Sequence, residues 1–141
     1  MRRPPIRIFD AKGSYESIGF AHGSLYAEEI QEYTQDRIQL VAGGSWSGGP
    51  IAKGDIIDLA ESMIPAHQRF DEDLFSELSA LAEGAEISVA EAIIVGGFTD
   101  FVDAVRAQIG GETPPSLQED DCTAVLVPDS RSEGAGFLAQ T

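Results

Sequence analysis

Apolar residues recur at helical spacing through most of the N-terminal part of the chain. From Tyr15 to about Val41 they fall every three or four positions, a period typical of an amphipathic helix. Ser14 is a favourable N-cap for this helix, and Glu16 in its first turn complements the helix dipole. Gly19 and Gly23 lie four residues apart, and therefore on one face. Since each glycine costs a helix roughly 1 kcal/mol relative to alanine, the pair predicts that another backbone passes close to this face.

Further helices are indicated by their caps and stops. Residues 42–50 form a flexible glycine-rich loop in this interpretation, and a second helix is expected to begin at Asp55. Pro65 is expected to end or kink that helix, because proline has no amide hydrogen to donate. Asp71 is a predicted N-cap for a third helix, and Gly84 is its predicted C-terminal stop.

A capping box opens the last predicted helix. Ser88 and Glu91 have the S-x-x-E spacing of that motif, and the helix is expected to extend from Val89 to about Ile109. A short strand is also predicted at the other end of the chain, from Ile6 to Phe9.

The period then changes from helical to extended, which divides the chain into three parts. Residues 1–109 are a helical lead segment, and residues 110–121 are a linker rich in glycine, proline and acids. Residues 122–141 are the first two strands of a sheet. An isolated hairpin is marginal in water, and both strands are apolar enough to be covered on both faces. We therefore expect the chain to be a fragment of a larger fold, or one piece of an assembly.

Composition and charge exclude several classes of partner. The chain has 141 residues, of which 43% are hydrophobic, and its 24 acidic and 9 basic residues give a net charge of −15. Such a charge disfavours binding to nucleic acid or to an anionic membrane surface. No apolar stretch has the length of a signal peptide or of a membrane span. We expect a soluble, cytoplasmic protein without a cofactor.

The one cysteine, Cys122, is the main candidate for chemistry. It stands where the predicted linker meets the predicted strand, and no second cysteine exists to form an internal disulfide with it. It is either a small buried hydrophobic residue or a nucleophile. If the bond after Asp121 is cleaved, Cys122 gains a free α-amine. The pKa of an α-amine is ordinarily about 7.7–8.0, which suits this group to accept the thiol proton.

Other groupings of polar residues are weaker candidates. Cys122 could pair with His22 or His67 as in a thiol hydrolase, although such a dyad also needs an orienting group. The acidic runs Glu119–Asp121 and Asp71–Asp73 could bind a metal or act as acid and base, but consecutive acids more often form a solvated surface. The chain contains no H-E-x-x-H motif.

Three segments form an ordered set of landmarks. The first is "KGSYESIGFAHGSLYAEEI" (Lys12–Ile30), the second is "ELSALAEGAEISVAEAIIVGGFTDF" (Glu77–Phe101), and the third is "DDCTAVLVPDS…GAGFLAQT" (Asp120–Thr141). In this order they resemble the lead helix, the capped helix and the Cys-Thr processing site of the acyl-coenzyme A:isopenicillin N acyltransferase family.

The resemblance implies a fold and a mechanism. Such a family member is an α+β protein, an N-terminal-nucleophile hydrolase with an αββα sandwich, of which this chain would hold the helical lead segment and the first hairpin. It is made as a precursor that cuts itself before the cysteine. Cys122 would then be the nucleophile with its α-amine as base, and Asp121 would supply the scissile carbonyl. The implied partners are an amide or thioester substrate, with acyl-coenzyme A as one candidate, and the rest of the catalytic chain.

Two other functions remain open at this point. One is a non-catalytic, acidic helical module that binds a protein partner, suggested by the net charge and by the face that carries Gly19, Gly23 and Ala27. The other is a Cys-His thiol hydrolase that uses His22.

Overall fold

The structure, a computed structural model, describes residues 8–110, 124–131, 134 and 136–140. Within these residues the chain forms six α-helices and then an antiparallel hairpin of two short strands. The elements are α1 (Tyr15–Leu25), α2 (Ala27–Ala42), α3 (Lys53–Phe70), α4 (Glu72–Gly84), α5 (Val89–Gly96), α6 (Phe98–Ile109), β1 (Ala124–Val127) and β2 (Phe137–Gln140). A 3-10 turn, Asp129–Arg131, lies between the strands.

The three predicted N-caps are confirmed. The hydroxyl of Ser14 accepts a hydrogen bond from the first turn of α1, and the carboxylate of Asp71 accepts one from the amide of Leu74 at 3.0 Å. Ser88 and Glu91 form the complete capping box, since the Glu91 carboxylate accepts the Ser88 amide at 2.8 Å and the Ser88 hydroxyl accepts the Glu91 amide at 3.2 Å. These bonds satisfy amides that have no partner within their own helix.

Four helix boundaries differ from the prediction. The helix expected from Asp55 begins two residues earlier, at Lys53. The first predicted helix is broken at Tyr26, and the last is broken at Gly97. α3 does not end at Pro65 but continues to Phe70. Pro65 is solvent-exposed, so water can reach the carbonyl that its missing amide leaves unpaired. Residues 8 and 9, the described part of the predicted N-terminal strand, lie outside any strand.

The C-terminus of α4 is a Schellman motif built without glycine. The amide of Glu86 donates to the carbonyl of Glu83 at 3.1 Å, and the amide of Ile87 donates to the carbonyl of Ala82 at 3.0 Å. Glu86 holds the left-handed conformation that such a motif requires, with φ of 56°. α4 ends at Gly84, as predicted, but the left-handed conformation of its stop is adopted by Glu86.

Gly84 has a different role, which it shares with Gly19 and Gly23. These three glycines bring the backbones of α1 and α4 into direct contact. A Cβ on Gly19 would collide with the carbonyl of Glu77, and one on Gly23 would collide with that of Leu81. The predicted close approach of a second backbone is thus confirmed.

The hydrophobic core lies among the other four helices. Its buried members come from α2, α3, α5 and α6, and they are Ile38, Val41, Ile56, Ala60, Ala90, Ile94, Phe98, Phe101, Val102 and Val105. Most of the charged residues within these four helices are exposed, which matches the helical period in the sequence.

The glycine-rich segment between α2 and α3 is held in place by specific contacts. Ser47 is fully buried, and its hydroxyl lies 2.9 Å from the carbonyls of both Val41 and Gly49. Trp46 packs against Phe98, with ring centroids 5.5 Å apart. The guanidinium of Arg106 donates to the carbonyl of Trp46 at 2.9 Å. The segment is a loop, as predicted, but these bonds anchor it to the core.

The expected αββα sandwich is wrong for this chain. A sandwich requires two stacked sheets between layers of helices, whereas the described residues are mostly helical and contain one sheet of two strands. The apolar strand pattern that suggested a larger sheet is present, but within the described residues β1 pairs with β2 alone, from Ala124 opposite Gln140 to Val127 opposite Phe137.

The three-part division of the sequence falls partly outside the described residues. The predicted linker, 110–121, is described only at Gly110, which ends α6 with a left-handed φ of 65°. In the part of the chain that the structure describes, no helix combines the length and apolar character needed to cross a membrane.

Candidate functional site

The two residues of the predicted cleavage site, Asp121 and Cys122, lie outside the described residues. The first described residue after them is Ala124, where β1 begins. Cys122 therefore precedes the strand by two positions in sequence. The predicted strand that began at the cysteine itself is described only from Ala124 onward.

The hairpin that follows Cys122 exposes apolar side chains on both faces. Leu126 and Leu138 are paired across one face, and they are 74% and 76% exposed. Phe137 and Val125 lie on the opposite face and are also exposed. A two-stranded sheet with two solvent-exposed apolar faces lacks the buried contacts that stabilise a strand pair.

The two histidines occupy separate positions with packing or helix-end contacts. His22 lies in α1, where its ring contacts those of Phe9 and Tyr26 at centroid distances of 5.4 and 5.6 Å. His67 lies in the last turns of α3, with Nδ1 3.0 Å from the carbonyl of Met63. These contacts explain both histidines without catalysis. The proposed pairing with Cys122 involves a residue outside the described part of the chain.

The acidic run at the start of α4 has a structural role. Asp71 is the N-cap, and Glu72 and Asp73 lie in the first turn, where carboxylates complement the helix dipole. The second run, Glu119–Asp121, lies outside the described residues. Among the residues that are described, no three His, Cys, Asp or Glu side chains are grouped as a metal ion would require.

A site that the sequence did not reveal lies beside α4 and α5. Two cavities, of about 420 Å³ and about 320 Å³, share Leu78, Ala92 and Gly96 as lining residues. We call the two together the α4–α5 groove. The larger cavity is also lined by His22, Tyr26, Glu29, Ile30, Tyr33, Leu81 and Val95, and the smaller one by His67, Phe70, Asp71, Leu74, Phe75, Ile93 and Gly97.

One feature of the sequence could have indicated this groove. α4 carries large apolar residues, among them Leu74, Leu78 and Leu81, yet it meets α1 through backbone contacts at glycines. A contact made through glycine uses little side-chain surface, so the large side chains remain available at another face. Recognising this requires knowing that α1 and α4 are the pair in contact.

Comparison of the sequence with protein-family models and with curated proteins gives no match. The likeness to the acyltransferase family therefore depends on the three segments quoted above.

Proposed function

We propose that this chain is the precursor region of a self-cleaving cysteine amidohydrolase or acyltransferase. The observation that carries the proposal is the Cys122-Thr123 pair directly before strand β1, in a chain with no other cysteine. The order of the three family-like segments supports it. The enzyme would transfer an acyl group from an amide or thioester to water or to an amine.

Self-cleavage proceeds by an acyl shift from nitrogen to sulfur. The thiol of Cys122 attacks the carbonyl carbon of Asp121, the C–N bond breaks, and the nitrogen takes up a proton to become the α-amine of Cys122. Water then hydrolyses the resulting thioester, which leaves a carboxylate on Asp121 and a free thiol on Cys122. No redox partner or cofactor takes part in this sequence.

The mature residue then contains both the nucleophile and its base. The α-amine accepts the thiol proton, and the thiolate attacks the substrate carbonyl to form an acyl-enzyme thioester. The leaving amine or thiol departs with the proton, and water or an amine then takes the acyl group. Acyl-coenzyme A is one candidate donor, since its thioester exchanges directly with a thiolate.

The exposed hairpin favours the proposal that the working enzyme contains a further polypeptide. Leu126 and Leu138 are exposed to solvent on the same face of the hairpin. Apolar side chains in such positions are stabilised when another surface covers them. The rest of the catalytic chain is the proposed cover, and it would supply the groups that bind substrate and stabilise the oxyanion. We propose the cytoplasm as the location, because the one cysteine must stay reduced to react.

The test is the intact mass of the purified protein, expressed in the longest form that its gene encodes and followed over time. We expect two fragments separated between Asp121 and Cys122. Cys122→Ala should give one uncut mass, whereas Cys122→Ser, which keeps a weaker nucleophile, should cut slowly or not at all. Cleavage of Cys122→Ala at the same bond would refute the mechanism.

A second candidate function is protein binding without catalysis. The α4–α5 groove favours it, because a contiguous apolar surface on a folded chain is typical of an interaction site. Labelling of Cys122 by a thiol reagent in the native protein distinguishes the two functions. Fast, pH-dependent labelling favours the enzyme, and slow labelling favours the binding module. The face that carries Gly19 and Gly23 gives this function no support, because both glycines are buried against α4 and form no open groove.

A further inference from the structure

The α4–α5 groove is open and apolar, and it has small residues at its base. Its floor includes Ala92, which is buried, and Gly96, which is exposed. A Cβ on Gly96 would lie 4.0 Å from the nearest side-chain atom, Cδ1 of Leu78. Packing therefore does not require a glycine at this position, and its missing side chain leaves space open in the groove. Small residues at these positions keep the floor deep enough to receive side chains from a partner.

Large apolar side chains stand at the edges of the trough and are open to solvent. Phe70 is 85% exposed, Leu74 is 51% exposed and Tyr33 is 44% exposed. Exposed residues of this size, grouped along one groove, cost free energy unless a partner removes them from water. The side chains that line the groove come mainly from helices, and an apolar groove of this kind typically receives the apolar face of an amphipathic helix.

Charge identifies the chemistry of the partner. The carboxylates of Glu29 and Asp71 line the two cavities, together with the imidazoles of His22 and His67. α2 continues this acidic edge with Glu32 and Asp36, which form a neighbouring surface with Glu29. Among the described residues, the cation beside this acidic edge is Arg37, whose guanidinium is 4.6 Å from the centre of the Tyr33 ring and 3.6 Å from the Asp36 carboxylate. Arg69, in the last turn of α3, directly precedes the lining residue Phe70 of the smaller cavity.

We propose that the α4–α5 groove binds an amphipathic helix of another polypeptide, with its apolar face in the trough and lysine or arginine residues along its flank facing Glu32 and Asp36. A second copy of this chain is disfavoured as the occupant, because two chains of net charge −15 repel each other. The inference rests on the second candidate function, protein binding, and does not depend on cleavage at Cys122.

The probe is a fluorescein-labelled synthetic helix of about 18 residues, with leucines on one face and lysines on both flanks. Binding to the whole 141-residue chain is followed by fluorescence anisotropy. We expect saturable binding that weakens as salt is raised, because screening reduces the attraction between exposed charges. A peptide of the same composition with the leucines scattered should bind at least about tenfold more weakly.

One pair of variants distinguishes binding in the groove from binding elsewhere on the surface. Gly96→Leu fills the trough, and Gly54→Leu places the same side chain on α3 where no atom lies within 4 Å. We expect the first to weaken binding at least about tenfold and the second to leave it unchanged. Circular dichroism confirms that each variant is folded.

A second pair of variants tests the contribution of the acidic edge to binding. Glu32→Gln with Asp36→Asn should weaken binding several-fold at low salt and less at high salt. Asp58→Asn with Glu61→Gln removes two charges from α3 and should have a smaller effect.

Three results would overturn the inference. If a peptide with glutamates in place of lysines binds equally well, protein binding stands but the partner chemistry is wrong. If the folded Gly96→Leu variant binds like the unmodified chain, the groove is the wrong surface. If the peptide binds only after residues 1–7 are removed, the chain's own arginine-containing N-terminal segment is the occupant.

Discussion

Replacing Gly84 with alanine tests the backbone contact between α1 and α4. A Cβ at this position would lie 2.5 Å from the carbonyl oxygen of Phe20 and 2.8 Å from the amide nitrogen of Ser24. Ordinary contact with such atoms begins near 3.4 Å. The helices would therefore have to separate by roughly 0.9 Å, since neither obstacle is a side chain that can rotate away.

The expected cost follows from two opposing effects. Overpacking of this kind costs about 1–3 kcal/mol, and a gap approaching 1 Å also weakens dispersion contacts along the interface. Alanine in place of glycine returns up to about 1 kcal/mol of helix propensity. We expect Gly84→Ala to lower the free energy of unfolding by about 1–2 kcal/mol, which corresponds to a fall in Tm of roughly 3–7 °C for a chain of this size.

The assay is thermal and urea unfolding, followed by circular dichroism and by the fluorescence of Trp46. Gly54→Ala is the matched control, because Gly54 is exposed in the first turn of α3 with no atom within 4 Å of the added Cβ. It should leave stability unchanged or raise it slightly. If Gly84→Ala is as stable as the control, α1 and α4 are not in backbone contact and the packing argument is wrong.

Two further predictions concern helix ends. Ser88→Ala removes the capping box that Ser88 forms with Glu91, and it should reduce the free energy of unfolding by about 1 kcal/mol in urea titrations; an unchanged midpoint would contradict this. Glu86→Gly removes the strain of a non-glycine residue in the left-handed conformation. It should raise the free energy of unfolding by about 0.5–1 kcal/mol, after subtraction of the extra entropy that glycine gives the unfolded chain. A lower Tm would show that the Glu86 side chain stabilises the native state.

Local rules predicted the helix beginnings well because each depends on a few neighbouring residues. Ser14, Asp71 and Ser88 bond to amides within their own first turns, so their roles can be inferred from short stretches of sequence. The break at Tyr26 could not be inferred in this way. No glycine or proline lies there, and its ring contacts Phe9, which belongs to a different part of the chain.

The end of α4 shows how one residue type can have two roles. Glycine favours the left-handed conformation of a helix stop, and it also permits close approach of two backbones. The sequence predicted the first role for Gly84, and the structure assigns it the second, while Glu86 adopts the left-handed conformation. Only the position of α1 distinguishes these roles, and that position is set by tertiary packing.

The candidate sites differ in the same respect. Cys122 could be identified from the sequence because a single thiol beside a strand carries its chemistry in its own atoms. The α4–α5 groove could not, since Leu78 and Gly96 come from separate helices and are ordinary residues in each. The expected sandwich came from the resemblance of three segments to a known family, whereas the apolar character of the strands predicts only that they need cover and does not specify what provides it.

The hairpin also affects how this protein behaves at high concentration. Within the described residues, β1 and β2 pair only with each other, so each has one edge whose backbone groups can pair with a strand of another molecule. The net charge of −15 opposes such encounters, and dissolved salt screens that repulsion over distances of about 10 Å at 0.1 M. Colloidal stability should therefore fall as ionic strength rises, so low-salt buffers are the safer conditions for handling the chain.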